Sequence, residues 1–282
     1  MVQGDTSSAL GGALAARMSG TPLAHVEAGL RSHDRSRPWP EEEFRVAIDS
    51  HADLLFAPTE LSAANLRRER VRGQVHVTGN SGIDAVLGVR RNVTTPVRDG
   101  GLPRLLVTCH RRENWGEGLN AVAGALRTLA CEGIARVEVI LHPNPALAAR
   151  VRQMLAGVFA ISFRPPCGHR ESVEAMLGAD LVLSDSGGIQ EEAAALGVPL
   201  LVLRDKTERP EAIACGNIEL VGTNAGRIVD AVRRRLNGGC PASAALPFGD
   251  GRAGERIAAI IEQWLTERSP LSPKLPAAPR TA

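Results

Sequence analysis

From Arg104 onward, short runs of Val, Leu and Ile alternate with stretches whose apolar residues recur at spacings of three and four. Runs that are apolar at every position suit strands buried on both faces, and the intervening helical period supplies the covers, so the chain reads as parallel sheet between helical layers. The expected strands are Arg104 to Thr108, Val137 to Leu141, Ala160 to Phe163, Leu181 to Ser184, Pro199 to Leu203 and Glu219 to Val221. Helices are expected at Leu119 to Ala130, Ala146 to Leu155, Glu171 to Leu177, Gln190 to Leu196 and Ala225 to Leu236. Together they make a complete doubly wound α/β unit.

The first hundred residues use the same alphabet: helices at Ser8 to Met18, Glu42 to Ser50 and Ala63 to Arg70, and strands at Leu23 to Val26, Leu54 to Ala57 and Val75 to Thr78. Met1 to Gln3 supplies only the tip of a leading strand. The expected organisation is a partial Rossmann-like unit at 1–100, a second Rossmann-like, nucleotide-binding unit at 101–268, and a disordered tail at 269–282 with four prolines. Two matched halves would require roughly 70 further residues in front. The polar stretch from Asn92 to Gly101 reads as the linker.

Charge is balanced, with 33 Lys+Arg against 31 Asp+Glu, which disfavours nucleic-acid or anionic-membrane binding driven by bulk charge. All basic residues except Lys206 and Lys274 are arginines. The five cysteines form no C-x-x-C pair, which argues against a disulfide framework or a structural zinc and fits a reducing cytoplasm. No apolar run is long enough to span a bilayer.

In open parallel sheets ligands bind beyond the carboxyl ends of the strands. Five clusters occupy such positions: Gly4-Asp5-Thr6, His25 to Arg31, Cys109 to Asn114, His142 to Pro145, and Ser184-Asp185-Ser186-Gly187-Gly188. In the last, a Ser-Gly-Gly turn opens a helix, so unpaired backbone N–H groups meet a positive helix end and form an anion site. Glu191 and Glu192 follow, where a carboxylate can accept from ribose hydroxyls, although simple capping by Ser186 with solvated glutamates explains the same residues. His110 stands among Arg111, Arg112 and Glu113, a setting for phosphate holding or proton transfer. His142 opens a His-Pro-Asn-Pro turn that also caps a strand without any ligand. Asp5 and Glu27 follow consecutive strands, which brings both carboxylates to one sheet edge. Glu41 begins an acidic helix start favoured by the helix dipole alone.

Several segments occur in one order: His25-Val-Glu-Ala-Gly-Leu-Arg31, Pro38-Trp-Pro-Glu-Glu42, Val77-Thr-Gly-Asn80 with Ile83-Asp84, His110-Arg-Arg-Glu-Asn114, His142-Pro-Asn-Pro145, Asp185-Ser-Gly-Gly-Ile-Gln-Glu-Glu192 and Arg204-Asp-x-Thr-Glu-Arg-Pro-Glu211. In this the chain resembles the bacterial non-hydrolysing UDP-N-acetylglucosamine 2-epimerases, from Met1 to about Leu265, as a member lacking the leading segment. The resemblance implies a GT-B fold with the active site between two Rossmann-like units, and interconversion of UDP-N-acetylglucosamine and UDP-N-acetylmannosamine by elimination and re-addition of UDP. It places Asp5, Glu27, Glu41 and His110 as catalytic residues, with no choice among the carboxylates for the base. Ser186, Gly187 and Gly188 match the diphosphate turn, Glu192 the ribose ligand, and Arg209 and His142 the charged groups near the phosphates. No metal or other cofactor is implied. The expected partners are a UDP-sugar and a second copy of the chain in a homodimer, with neither nucleic acid nor membrane. The sequence departs from the family between Pro165 and Arg170, where an aromatic-containing run near the uracil is usual and His169 is the ring available. The competing readings are an inactive relative that still binds UDP and a GT-B glycosyltransferase.

Overall fold

The computed structural model describes residues 1–36, 38–94, 100–111, 114–238 and 244–268. Half of the expected linker, at 95–99, and the whole tail at 269–282 lie outside the described residues, as do Arg112 and Glu113.

Two all-parallel sheets organise these residues. The first runs β1 (Val2–Gln3), α1 (Ser7–Ser19), β2 (Ala24–Val26), α2 (Glu41–Asp49), β3 (Leu54–Ala57), α3 (Glu60–Arg68) and β4 (Gln74–Val77), with strand order β1-β2-β3-β4. After α4 (Ser81–Arg90) the second begins, with β5 (Arg104–Thr108), α5 (Glu117–Cys131), β6 (Arg136–Ile140), α6 (Pro145–Met154), β7 (Ile161–Arg164), α7 (His169–Leu177) and β8 (Leu181–Ser184). It continues through α8 (Gly187–Leu196), β9 (Leu200–Val202), α9 (Pro210–Ala214), β10 (Ile218–Leu220) and α10 (Ala225–Gly238), and the chain then enters α11 (Ala253–Arg268). The second sheet has order β10-β9-β8-β5-β6-β7. The chain winds outward from β5 in one direction and from β8 in the other, so the switch point lies between their carboxyl ends.

Strand burial follows the sequence pattern. Leu105, Val107, Leu181 and Leu183 pack under α5 and α10, while Leu106, Val182, Leu200 and Val202 face α7 and α8 on the other side. Strands with both faces covered have no polar face to show, which is why β8 reads Leu-Val-Leu-Ser.

Two helices trade places between the units. Ile83 and Leu87 of α4 pack into the core of the second sheet beside Val173, Met176 and Ala194. Ile257 and Trp264 of α11 return to the first sheet and cover Val26, Leu54 and Phe56. This corrects the expected division at residue 101: Ser81–Arg90 packs with the second unit and Ala253–Arg268 with the first. Neither helix α4 nor α11 was anticipated, because each carries a face complementary to a sheet distant in sequence. The two crossing segments touch. Asn80 N donates to the Phe248 carbonyl over 2.6 Å. A Cβ on Gly249 would stand 2.9 Å from the Gly79 Cα, so only paired glycines allow that approach.

Candidate active site

The carboxyl ends of the two sheets carry the expected clusters. On the first sheet, β1 and β2 are hydrogen-bonded neighbours, so Asp5 and Glu27 do share an edge. Glu27 has φ 70°, a left-handed conformation that costs a non-glycine residue on the order of 1–3 kcal/mol. The chain around it is tied down. The His25 ring spans Asp49 Oδ1 at 2.6 Å and the Gly4 carbonyl at 3.0 Å. Asp49, fully buried, also accepts from Gly29 N at 3.1 Å and Arg31 Nη2 at 2.8 Å. His25 and Arg31, flagged as possible chemistry, thus brace the turn that presents Glu27.

Helix α2 adds a second brace. Glu42 accepts backbone N–H bonds from Ser32 and His33, and Arg45 pairs with both Glu42 and Asp5. Glu41 starts the same helix, and its Oε2 is buried without a hydrogen-bond partner. Of the three flagged carboxylates, it is the one with a buried oxygen that lacks a hydrogen-bond partner.

On the second sheet, Asp185 after β8 and the Cys109–Arg111 turn after β5 meet across the switch point. Asp185 is wholly buried and accepts from His110 N at 2.9 Å, Arg111 N at 2.9 Å and Asn114 Nδ2 at 2.9 Å. The His110 ring lies edge-on to His142 at 5.2 Å between centroids, and its Nε2 is buried without a partner. Burial pushes the His110 pKa down; the Asp185 charge opposes this and His142 adds to it. His142 Nδ1 accepts from Asn144 N over 2.9 Å, so the proton of a neutral ring sits on Nε2. The Cys109 thiol is driven well above its ordinary range by burial and by Asp185, which leaves it an unreactive neutral group.

The Ser-Gly-Gly segment is the first turn of α8 rather than a separate turn before it, with Ser186 as the cap accepting from Ile189 N. The two glycines differ. A Cβ on Gly187 would lie 2.5 Å from Arg209 Nη1, so a side chain there would collide with the guanidinium. At Gly188 the nearest atom is Ser186 Oγ at 4.0 Å, which leaves the space a phosphate can use.

Arg209 is the centre of the cleft. Its Nε donates to Glu191 Oε1 and its Nη1 to Glu208 Oε1, both at 2.5 Å, and Nη2 reaches Glu27 Oε1 on the opposite sheet at 3.0 Å. Burial drives the Glu27 pKa upward, Arg209 opposes it, and Glu191 and Asp5 raise it again, leaving it at about 7. Glu208 moves the other way: burial works against its charge, but Arg209, Arg204 and Arg111 outweigh that and hold it below the usual carboxylate range. Glu191, weighed at the sequence level as a ribose ligand, is instead consumed internally by Arg209 and by Asn80 at 2.5 Å. Glu192 keeps a partly exposed carboxylate, 3.6 Å from His169 Nε2. That pair joins the residue expected at the ribose to the ring expected near the uracil.

Arg45, Asp49, Asp185 and Glu208 escaped assignment as functional residues. Asp185 stood inside a quoted cluster, and its only signal was a carboxylate following a strand with no helix of its own to cap.

The family model described as UDP-N-acetylglucosamine 2-epimerase matches residues 1–262. A probable UDP-N-acetylglucosamine 2-epimerase of Ralstonia nicotianae is 41% identical over 283 residues, covering 94% of this chain and 75% of the relative. The UDP-N-acetylglucosamine 2-epimerase of Escherichia coli K12 is 40% identical, covering 91% and 73%. Among solved structures, the UDP-GlcNAc 2-epimerase from Neisseria meningitidis bound to UDP-GlcNAc superposes with TM-score 0.87 at 35% identity, over 93% of this chain and 75% of that one. The Methanocaldococcus jannaschii UDP-GlcNAc 2-epimerase in complex with UDP-GlcNAc and UDP gives 0.79 at 35%, over 93% and 75%.

Proposed function

The chain belongs to the UDP-N-acetylglucosamine 2-epimerase family, and from that premise we propose how the residues of its cleft carry the reaction. The fold is GT-B-like, and the activity is that of an isomerase interconverting UDP-N-acetylglucosamine and UDP-N-acetylmannosamine.

The C2 proton of the sugar is weakly acidic. A carboxylate removes it usefully only while the anomeric C–O bond breaks and its electron pair passes to the departing UDP. A double bond forms between C1 and C2, giving a 2-acetamidoglucal. Protonation of C2 from the other face and return of UDP to C1 complete the inversion. Asp5, Glu27 and Glu41 are the carboxylates placed to handle these protons, and His110, with its free ring nitrogen, stands across the cleft near the leaving group. The backbone N–H groups around Ser186, Gly187 and Gly188 receive the diphosphate at the positive end of α8. His142 lies beside them, and Glu192 takes the ribose.

Arg209 has a different part from the simple phosphate ligand the resemblance implies. Three carboxylates already hold its guanidinium. An incoming diphosphate competes with them, and the contact on the opposite sheet, Glu27, is the partner it releases. Phosphate binding then frees the carboxylate that faces the sugar.

The observation that carries this reading is the bridge from Glu27 to Arg209, which puts a carboxylate whose pKa lies near neutrality beside the helix start suited to a diphosphate. UDP-N-acetylglucosamine incubated with the protein in heavy water should gain deuterium at C2 as the manno epimer appears. A glycosyltransferase leaves that hydrogen in place. UDP binding without exchange or epimer would reject the catalytic reading and favour an inactive nucleotide-binding relative.

A homodimer in the cytoplasm completes the proposal. Leu14 and Met18 on α1 are exposed at 49% and 89%, an apolar stripe suited to a second copy. Among the described residues no helix is long and apolar enough to cross a membrane.

A further inference from the structure

We propose that Asp185 is the positioning residue for His110, fixing its turn at the switch point and placing a negative charge directly on that turn. The inference rests on the epimerase reading for its kinetic consequence, but its structural half stands alone.

Asp185 has no solvent exposure, and among the described residues its hydrogen-bond donors are neutral. His110 N reaches Oδ1 at 2.9 Å and Oδ2 at 3.1 Å, Arg111 N and Asn114 Nδ2 each reach Oδ2 at 2.9 Å, and Cys109 Sγ lies 3.5 Å from Oδ2. A carboxylate buried this way is costly unless hydrogen bonds to the charged form compensate it. Two of those donors are successive peptide N–H groups of the His110 turn, so the charge determines the path of that backbone. Capping does not explain the residue, because Ser186 caps α8.

The groups facing His110 make the electrostatic consequence specific. Asp185 comes from the end of β8, His142 from the end of β6, and Cys109 and Arg111 flank the histidine on its own turn. The Trp115 Nε1 donates to the His110 carbonyl at 3.2 Å, and the His110 ring bonds the Ile140 backbone. Arg111 directs its guanidinium to Glu208 at 3.4 Å. Asp185 is therefore the negative group that lets a buried imidazole accept a proton during turnover.

Asp185→Asn keeps the shape but removes the charge and one acceptor; Asn114→Ala loosens the carboxylate while leaving its charge. Each full-length variant is to be measured for C2 deuterium incorporation, for UDP affinity by calorimetry, and for His110 protonation by imidazole nitrogen NMR against pH. The expected results for Asp185→Asn are exchange slowed by about 10²-fold, the scale of a disabled acid–base group, a lower His110 midpoint, and UDP affinity unchanged or tighter, since a negative charge near the phosphates has been removed. Exchange within twofold of the unmodified protein, or an exchange loss matched by weaker UDP binding, overturns the proposal. If Asp185→Asn does not fold, Asn114→Ala decides: slower exchange at unchanged UDP affinity supports the positioning role, and an unmodified rate overturns it. A parent protein that shows no exchange rejects the epimerase reading, while the His110 midpoint still judges the positioning claim.

Discussion

Arg209 Nη2 donates to Glu27 Oε1 across 3.0 Å and so ties the turn after β2 of one sheet to the start of α9 on the other. The same guanidinium neutralises Glu191 and Glu208, which are 3% and 2% exposed. Removing one partner of a buried ion pair typically costs about 3–5 kcal/mol because the remaining charge is stranded. Arg209→Ala should lower the denaturation midpoint by a corresponding amount in urea titrations. A variant as stable as the parent would mean that the three carboxylates are solvated in solution.

The two glycines of α8 should separate folding from ligand binding. Gly187→Ala forces the Arg209 guanidinium aside, so both thermal stability and UDP affinity should fall, the former by about 1–3 kcal/mol as for other overpacked sites. Gly188→Ala makes no closer approach than 4.0 Å, to Ser186 Oγ, so it should melt like the parent and bind UDP more weakly. Equal behaviour of the two variants would refute the distinction.

The position of the Glu27 pKa predicts an acid limb. A base must be ionised, so kcat/KM for C2 exchange should rise with pH through about 7. The sign for stability is opposite. Between the ordinary value of 4.5 and about 7, the folded state holds a proton that the unfolded state has lost, so this group's contribution to stability declines as pH rises through that window. Glu208 works in reverse: its depressed pKa contributes stability above the ordinary carboxylate range, and acid removes it. Rate and urea profiles of Glu27→Gln against pH should lose the first pair of effects and retain the last.

Glu27→Gln and His110→Ala should slow C2 exchange by about 10²–10⁴-fold without weakening UDP binding, which Glu27→Gln should tighten by removing a competitor for Arg209. Calorimetry and deuterium incorporation on the same samples check the split. Parallel losses in both would place these residues in binding.

Asp84 of α4 accepts from Ala253 N at 3.0 Å and Gly254 N at 2.7 Å, capping α11. Asp84→Ala should cost about 0.5–2 kcal/mol. Amide exchange should show the loss first in α11 and in the first-sheet strands beneath it.

The second sheet was readable from sequence because its strands are buried on both sides: β5 and β8 fall on the expected residues, and the ends of the other strands differ by one position. The edge shared by Asp5 and Glu27 followed from parallel pairing alone. What escaped was set by partners distant along the chain. Helix α4 is amphipathic toward a sheet whose residues come later, and nothing local says that Ile83 meets Val173 rather than the strand before it. The resemblance placed Arg209 near the phosphates, but its carboxylate partners Glu27 and Glu191 reach it only through the fold. That Gly187 leaves room for Arg209 was hidden for the same reason, since a glycine's use depends on what fills the space beside it.

Because α11 closes the face of the first sheet, the order of synthesis runs against the order of completion. Val26, Leu54 and Phe56 are translated early, yet the helix carrying Ile257 and Trp264 that covers them emerges near the end. The second sheet, whose cover α4 is made before it, has its helices once α10 is out of the ribosome and lacks only Phe248 from its core. The vectorial rule that domains mature from the amino end inward is therefore inverted here. The apolar surface of Val26, Leu54 and Phe56 thus waits for a partner made after the whole second sheet.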